Sequence, residues 1–288
     1  MQPLKGSLLL TVRELWAMKI TQGVFVVATI GWLLLSFAMN LDVVEGSISA
    51  LRIFGLESTP SEAFRDPETG EIMRRSLGLD EFLLGVNQFV FGLCYFFGTL
   101  LGLFATMPLI GGFLEEGRID LYLSKPVSRT RLLAGHVIGV WLTVLVLVTY
   151  LILAVWLVLS LKTGSWRPDF LVTIPIITIM FGVMYSVVMT LSIIVRSSGL
   201  SLVVAYGLIF FSILFAAHEQ LIPVLGATTG GIFRLLYFVL PNFVEVMQLV
   251  SQLVSDQSVT DLVPLLSSIL FGGTTYVIGF VWFSRRDF

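Results

Sequence analysis

Long stretches without a charged residue alternate along this chain with shorter stretches where charges crowd together. Charge-free runs cover residues 20–41, 82–114, 132–161, 170–195, 197–218 and 262–284, and none is shorter than 22 residues. About 20 apolar residues in a helix cross a hydrocarbon core of roughly 30 Å. A backbone facing lipid must satisfy its hydrogen bonds internally, so the runs predict six transmembrane helices in an all-α polytopic membrane protein. The first run begins only after Lys19 and has no small-x-small cleavage site before Asp42, so it is read as a span and not as a leader. Ahead of it, Leu4, Leu8, Val12, Leu15 and Trp16 recur near helical spacing, with Lys5, Arg13 and Glu14 off the stripe. This predicts an amphipathic helix over residues 4–18, lying in the membrane interface as part of a segment 1–19.

Three polar segments interrupt the runs. Residues 42–81 carry nine acidic and four basic residues. Within them Ile48 to Phe54 alternates loosely and reads as a strand, and Asp66-Pro67-Glu68-Thr69-Gly70 reads as a tight turn. A small cap is expected here, without a core of its own. Residues 219–261 hold the short apolar stretch Gln220 to Phe233, interrupted by Pro223, Gly226, Gly230 and Gly231, and then an amphipathic pattern from Leu235 to Leu253 around Pro241. Apolar stretches this short suit re-entrant or interfacial helices. The third segment, 111–131, joins spans two and three. With no internal repeat and no low-complexity linker, residues 1–288 form one membrane domain.

Composition agrees: 56% of residues are hydrophobic, only 12% charged, and the mean hydropathy is +0.95. A soluble protein needs more polar surface than that. No basic block marks a nucleic-acid partner. The single cysteine, Cys94, excludes an intrachain disulfide and a cysteine-based metal cluster. Charge then sets the orientation. With the N-terminus in the cytoplasm, the inside segments hold ten basic and five acidic residues and the outside segments seven and 14. Basic residues favour the cytoplasmic side, so both termini are expected inside a bacterial plasma membrane.

Catalytic chemistry is not legible. The charge-free runs contain no Asp, Glu, Lys or Arg, the usual marks of proton relays and ion pathways. There is no G-x-S-x-G, H-E-x-x-H or Walker A sequence. His136 and His218 fall at opposite ends of their spans, so they do not share a metal, and each is read as an interfacial histidine. Asp80-Glu81 and Glu115-Glu116 have no histidine beside them and are read as solvated. Gly98 with Gly102, and Gly135 with Gly139, form G-x-x-x-G patterns, read first as packing within one copy and second as a dimer contact. No cofactor or metal is expected on this chain.

The segment from Gly111 to Gly139 is the most informative. Glu115 to Leu123 forms two helical turns with an apolar ridge of Ile119 and Leu123 beside Tyr122, and with Glu116, Arg118 and Asp120 around it. Pro126 ends the helix, and Ser128 is placed to cap the next, which carries Arg129 and Arg131. A simple reversal between helices needs about 2–8 residues. This longer, charged segment therefore suits docking onto a soluble partner better than a mere turn.

Residues 115–129, Glu-Glu-Gly-Arg-Ile-Asp-Leu-Tyr-Leu-Ser-Lys-Pro-Val-Ser-Arg, resemble the coupling-helix signature of ABC type-2 permeases, and Leu240-Pro241-Asn242-Phe243 is similar to that family's outer-face motif. The closest subgroup by this likeness is the permeases that serve nitrous oxide reductase maturation. The resemblance implies a homodimer of permeases and a separate cytoplasmic ATPase, in two copies, that binds ATP and Mg. It implies ATPase docking by Glu115, Glu116, Arg118, Ile119, Asp120, Tyr122 and Leu123, with Lys125, Pro126, Arg129 and Arg131 anchoring the segment at the membrane surface. The expected function is then ATP-driven export or a transmembrane conformational change, the chain itself not being an enzyme. Two alternatives stay open: a scaffold that passes ATPase-driven motion to an extracytoplasmic partner, and a secondary carrier.

Overall fold

The computed structural model describes residues 2–44, 47–53, 56–58, 61–65, 72–76, 78–113, 128–221, 226–255 and 261–285. Two helices open the chain, α1 (Gln2–Ala17) and α2 (Lys19–Ala38), followed by five short strands. Next come α3 (Leu79–Leu93), a π-helical turn (Cys94–Gly98) and α4 (Thr99–Phe113), then α5 (Arg129–Thr163), a 3-10 turn (Pro168–Val172) and α6 (Thr173–Val195). The remainder is α7 (Ser198–Ala216), α8 (His218–Leu221), α9 (Ala227–Val239), α10 (Phe243–Val254) and α11 (Val263–Arg285).

Five helical stretches are each long and apolar enough to cross a membrane: Leu79–Gly112, Arg129–Thr163, Pro168–Val195, Ser198–Ala216 and Val263–Arg285. With its 20 residues, α2 reaches about 30 Å and adds a sixth. It follows α1 across a 68° bend. The membrane part is therefore all helical, as the charge-free runs predict. The connections show why the helices end where they do. Gly164 takes φ +73° and returns its N–H to the Ser160 carbonyl, closing α5. Arg196, at φ 60°, does the same to Ser192, and Ser197 Oγ then caps α7 by accepting from the Leu200 N–H.

The centre of the bundle is α6, with 17 of its 23 residues buried. Small residues on its neighbours bring the backbones close. A Cβ at Gly272 of α11 would sit 3.0 Å from Val183, and one at Gly279 would sit 2.5 Å from Thr190. Thr190 Oγ1 also donates to the Thr275 carbonyl at 2.8 Å. The other faces of α7 and α11 leave Val203, Phe210, Leu266, Leu270 and Val277 exposed, as suits helices bordered by lipid.

The two ends of the bundle differ. At one, here the loop end, α4 stops and α5 starts on either side of residues 114–127. At the other, the sheet end, Arg167 beside the 3-10 turn reaches Asp80 at the start of α3, at 3.4 Å. Glu81 caps the same helix start, accepting from the Gly78 N–H at 3.2 Å. Both acids are exposed, as the solvated reading expects, and they also tie down the start of the second span. Trp156 and Trp166 stack edge to face at this end, with rings 5.3 Å apart.

The polar segment after α2 folds into antiparallel strands. Strands β1 (Met39–Val44), β2 (Ser47–Ile53) and β3 (Leu56–Ser58) form one sheet, and β4 (Ser61–Arg65) pairs with β5 (Ile72–Ser76). The expected strand at 48–54 is β2, one residue displaced. The turn at 66–70 lies outside the described residues, but Arg65 faces Ile72 across the pair, so the chain reverses between them.

Three sequence expectations need correcting. The buried face of α1 is centred on Thr11 and Leu15, and Trp16 of the expected apolar stripe is exposed. The reason is Gly139: a Cβ there would lie 2.9 Å from Thr11 and 3.3 Å from the Leu8 carbonyl, so α1 lies flush on α5. His136 is consequently not interfacial but buried beneath α1. The outer helices divide at Pro241, not near residue 234, giving α9 and α10 set at 63° to each other.

Candidate functional site

Of the residues predicted to dock a partner, Glu115, Glu116, Arg118, Ile119, Asp120, Tyr122 and Leu123 lie outside the described residues, as do Lys125 and Pro126 of the anchoring set. Arg129 and Arg131 are described, in the first turn of α5 just after the helix-start residue Ser128. Arg129 is half-buried and Arg131 exposed. What the structure does define is how the two roots of this loop are held.

The two helices that flank the loop grip α6 within one helical turn, at points well inside the bundle. On the incoming side, Gly102 of α4 lets the Phe181 ring approach, within 3.1 Å of where a Cβ would be. On the outgoing side, His136 Nε2 of α5 shares a hydrogen bond with Tyr185 Oη at 3.0 Å. Phe181 and Tyr185 stack nearly parallel, 5.8 Å apart. Thr11 Oγ1 of α1 approaches the other ring nitrogen of His136 at 3.5 Å. Between these contacts Trp141 lies over Gly182, its Nε1 donating to Tyr276 Oη at 2.9 Å, and Tyr276 donates to the Gly182 carbonyl at 2.9 Å. Residues 181–185 are thus a hub that joins α1, α4, α5 and α11. G-x-x-x-G spacing pointed to the glycines, but the aromatic partners come from distant sequence and gave no local signal.

A buried hydrogen bond adds about 1 kcal/mol, and an orphaned buried partner costs about 1–3 kcal/mol. Tyr185→Phe is therefore expected to lower the thermal midpoint of the purified full chain. Tyr206→Phe, which removes only the bond to the Leu100 carbonyl from a half-buried hydroxyl, is expected to lower it less. Equal midpoints for the two variants would contradict the buried His136–Tyr185 contact.

The second polar centre lies at the sheet end and was not anticipated. Glu245, in the first turn of α10, is 9% exposed. Its Oε1 lies 2.9 Å from His218 Nδ1, just past α7, and its Oε2 accepts from Tyr237 Oη of α9 at 2.8 Å. The His218 and Tyr237 rings stack 4.4 Å apart. Asn242 braces the bend, donating from its side chain to the Tyr237 carbonyl at 3.1 Å and from its backbone N–H to Ser268 Oγ at 3.0 Å. Tyr95, in the π-helical turn, donates to the Phe243 carbonyl at 2.7 Å. Burial raises the Glu245 carboxyl above its ordinary range, opposed by the Tyr237 hydrogen bond and by the charge and hydrogen bond of His218, while Asp261 pushes the same way as burial. Nothing local in the sequence singled out Glu245. Only the fold brings it to His218.

An apolar groove of about 680 Å³ separates α2 from α3, lined among others by Val27, Trp32, Phe89, Cys94 and Phe97 and floored by Val155. Gly98 opens onto it, so only three of the four glycines in the two G-x-x-x-G patterns serve helix packing in one copy. Among the described residues no cluster of three histidine, cysteine or acidic side chains is placed to hold a metal ion.

These features describe a polytopic helical domain with a long polar loop at one end and a bent helix pair with a Leu-Pro-Asn-Phe break at the other. No curated protein matches the chain. A family model described as ABC-2 family transporter protein matches residues 16–288. With nearly its whole length matched, the chain belongs to the ABC-2 family of transporter membrane proteins.

Proposed function

We propose that this ABC transporter permease couples ATP hydrolysis on a separate cytoplasmic ATPase to export across a bacterial plasma membrane, as one half of a homodimer served by two ATPase subunits. ATP and Mg bind on the ATPase. Glu115, Glu116, Arg118, Ile119, Asp120, Tyr122 and Leu123 form the docking helix, and Lys125, Pro126, Arg129 and Arg131 hold it at the inner membrane surface. The observation that carries this reading is the double grip on α6. A displacement of the loop pulls on α4 and α5 together, and both are fastened to the turn 181–185. The central helix then follows the loop as a rigid body, because packed interiors shift between discrete arrangements and do not flow. The excess of basic residues at the loop end supports a cytoplasmic location for it.

A second reading is favoured by the strands at the opposite end. A folded sheet there gives an extracytoplasmic protein something to receive motion through, in which case no solute need pass.

A photocrosslinking residue placed at Ile119 or Tyr122 in cells is expected to capture an ATPase subunit, and the same residue at exposed Leu266 is not. Failure of both loop positions to capture one would overturn the docking role. Passage of a solute in ATPase-loaded vesicles then separates export from transmitted motion.

A further inference from the structure

The cluster around Glu245 is unused by the docking and transmission scheme. A buried carboxylate inside a membrane protein is costly, and such groups mark sites that bind or pass ions. Each of α9 and α10 alone is too short to cross the membrane, at about 20 and 18 Å, and the 63° bend between them forms an elbow against the end of the fifth span. Here one carboxylate joins three elements: α10 through its own backbone, α9 through Tyr237, and the end of α7 through His218.

The bonding pattern accepts a proton without losing a partner. His218 Nδ1 faces two acceptors, Glu245 Oε1 and the Phe215 carbonyl at 3.0 Å, so it carries hydrogen. On the other side the Tyr237 hydroxyl donates to an ionised Oε2, and accepts from it once the carboxyl is protonated. The charged and titratable groups acting on Glu245 are His218, Tyr237 and Asp261. The proton is held between Glu245 and His218, whose facing atoms are 2.9 Å apart. Loaded, the pair is neutral overall, either as two neutral groups or as an ion pair. Emptied, it leaves a lone carboxylate in an apolar bend, which the closed elbow disfavours.

We infer that His218, Glu245 and Tyr237 form a binding site for a single proton, which closes the α9–α10 elbow onto the end of α7 when loaded and loosens it when empty. The sign follows from linkage. Burial raises the folded-state carboxyl, so the stabilisation is present at low pH and is lost as pH rises through the raised value.

The test uses the full chain in lipid nanodiscs, without an ATPase, titrated between about pH 5 and 9. Infrared difference spectra are expected to show a carboxyl band that titrates in the native chain and is missing from Glu245→Gln. The midpoint is expected to move up in Tyr237→Phe and His218→Gln, which remove groups that lower it, and down in Asp261→Asn. In hydrogen exchange, protection of the 227–255 amides relative to Glu245→Gln at the same pH is expected to fall about tenfold or more as the site empties. Should Glu245→Gln not fold, the Tyr237→Phe midpoint and exchange profile serve instead. A carboxyl band unchanged by these substitutions, or an elbow whose protection ignores the titration, overturns the proposal. Either result leaves ATPase docking at the loop end untouched.

Discussion

Exchanging the charges of Glu116 and Arg118, as Glu116→Lys with Arg118→Glu, is expected to separate the permease from its ATPase. The swap preserves net charge and leaves Ile119 and Leu123 unchanged, so the membrane domain should fold normally. What it reverses is the pattern presented to the partner. Truncating one member of a buried charge pair at an interface costs about 2–5 kcal/mol, and reversal adds repulsion. At 1.4 kcal/mol per tenfold, association weakens by about 30-fold to several thousand-fold. The measurement is co-purification of the ATPase with tagged permease, together with the rate of ATP hydrolysis in the membrane complex. Retention of both at native levels would show that these charges face water and not a partner.

Gly182→Val carries the largest expected effect on the membrane domain itself. A Cβ at this position would fall inside the indole ring of Trp141. The ring has no easy retreat, because its Nε1 is bound to Tyr276 Oη, which is itself bound to the Gly182 carbonyl. The substitution forces the ring away and breaks both bonds. Overpacking costs about 1–3 kcal/mol and each hydrogen bond about 1 kcal/mol, so a loss of about 3 kcal/mol or more is expected. Thermal unfolding of the full chain in detergent would show it as a large fall in midpoint. Adding Trp141→Leu should recover part of the loss, by removing the ring that the new side chain strikes. If the second substitution only deepened the defect, the contact between α5 and α6 would not be the cause.

Much of this architecture was legible in the sequence, and the gaps have physical reasons. Five of the six charge-free runs coincide to within a few residues with helices long and apolar enough to cross, and the first with α2, because lipid permits no other solution for so many uncharged positions. The strand near residue 48 showed in its alternation. Ser128 stood out as a cap, and it occupies the cap position of α5, although its side chain makes no capping hydrogen bond. Burial inside the bundle was another matter. Helices that are apolar all round carry no periodic signal for which face turns inward. Nothing local therefore singled out α6 as central or His136 as buried. The stripe on α1 misled because the surface it meets is a glycine, which rewards a small Thr11 at the contact over a large side chain. Glu245 was hidden by distance, since its meaning depends on a histidine 27 positions earlier that only the chain's return path brings near.

The unequal lengths of the crossings have a consequence for the lipid environment. At 35 residues α5 is about 52 Å long, whereas α7, with 19 residues, reaches only about 28 Å. A long helix adapts to a thinner bilayer by tilting, but a short one has no slack to give to a thicker one. The fifth crossing therefore acts as the gauge of the molecule: reconstitution into lipids with longer acyl tails should strain that segment first and draw inward the polar cluster tethered at its tip.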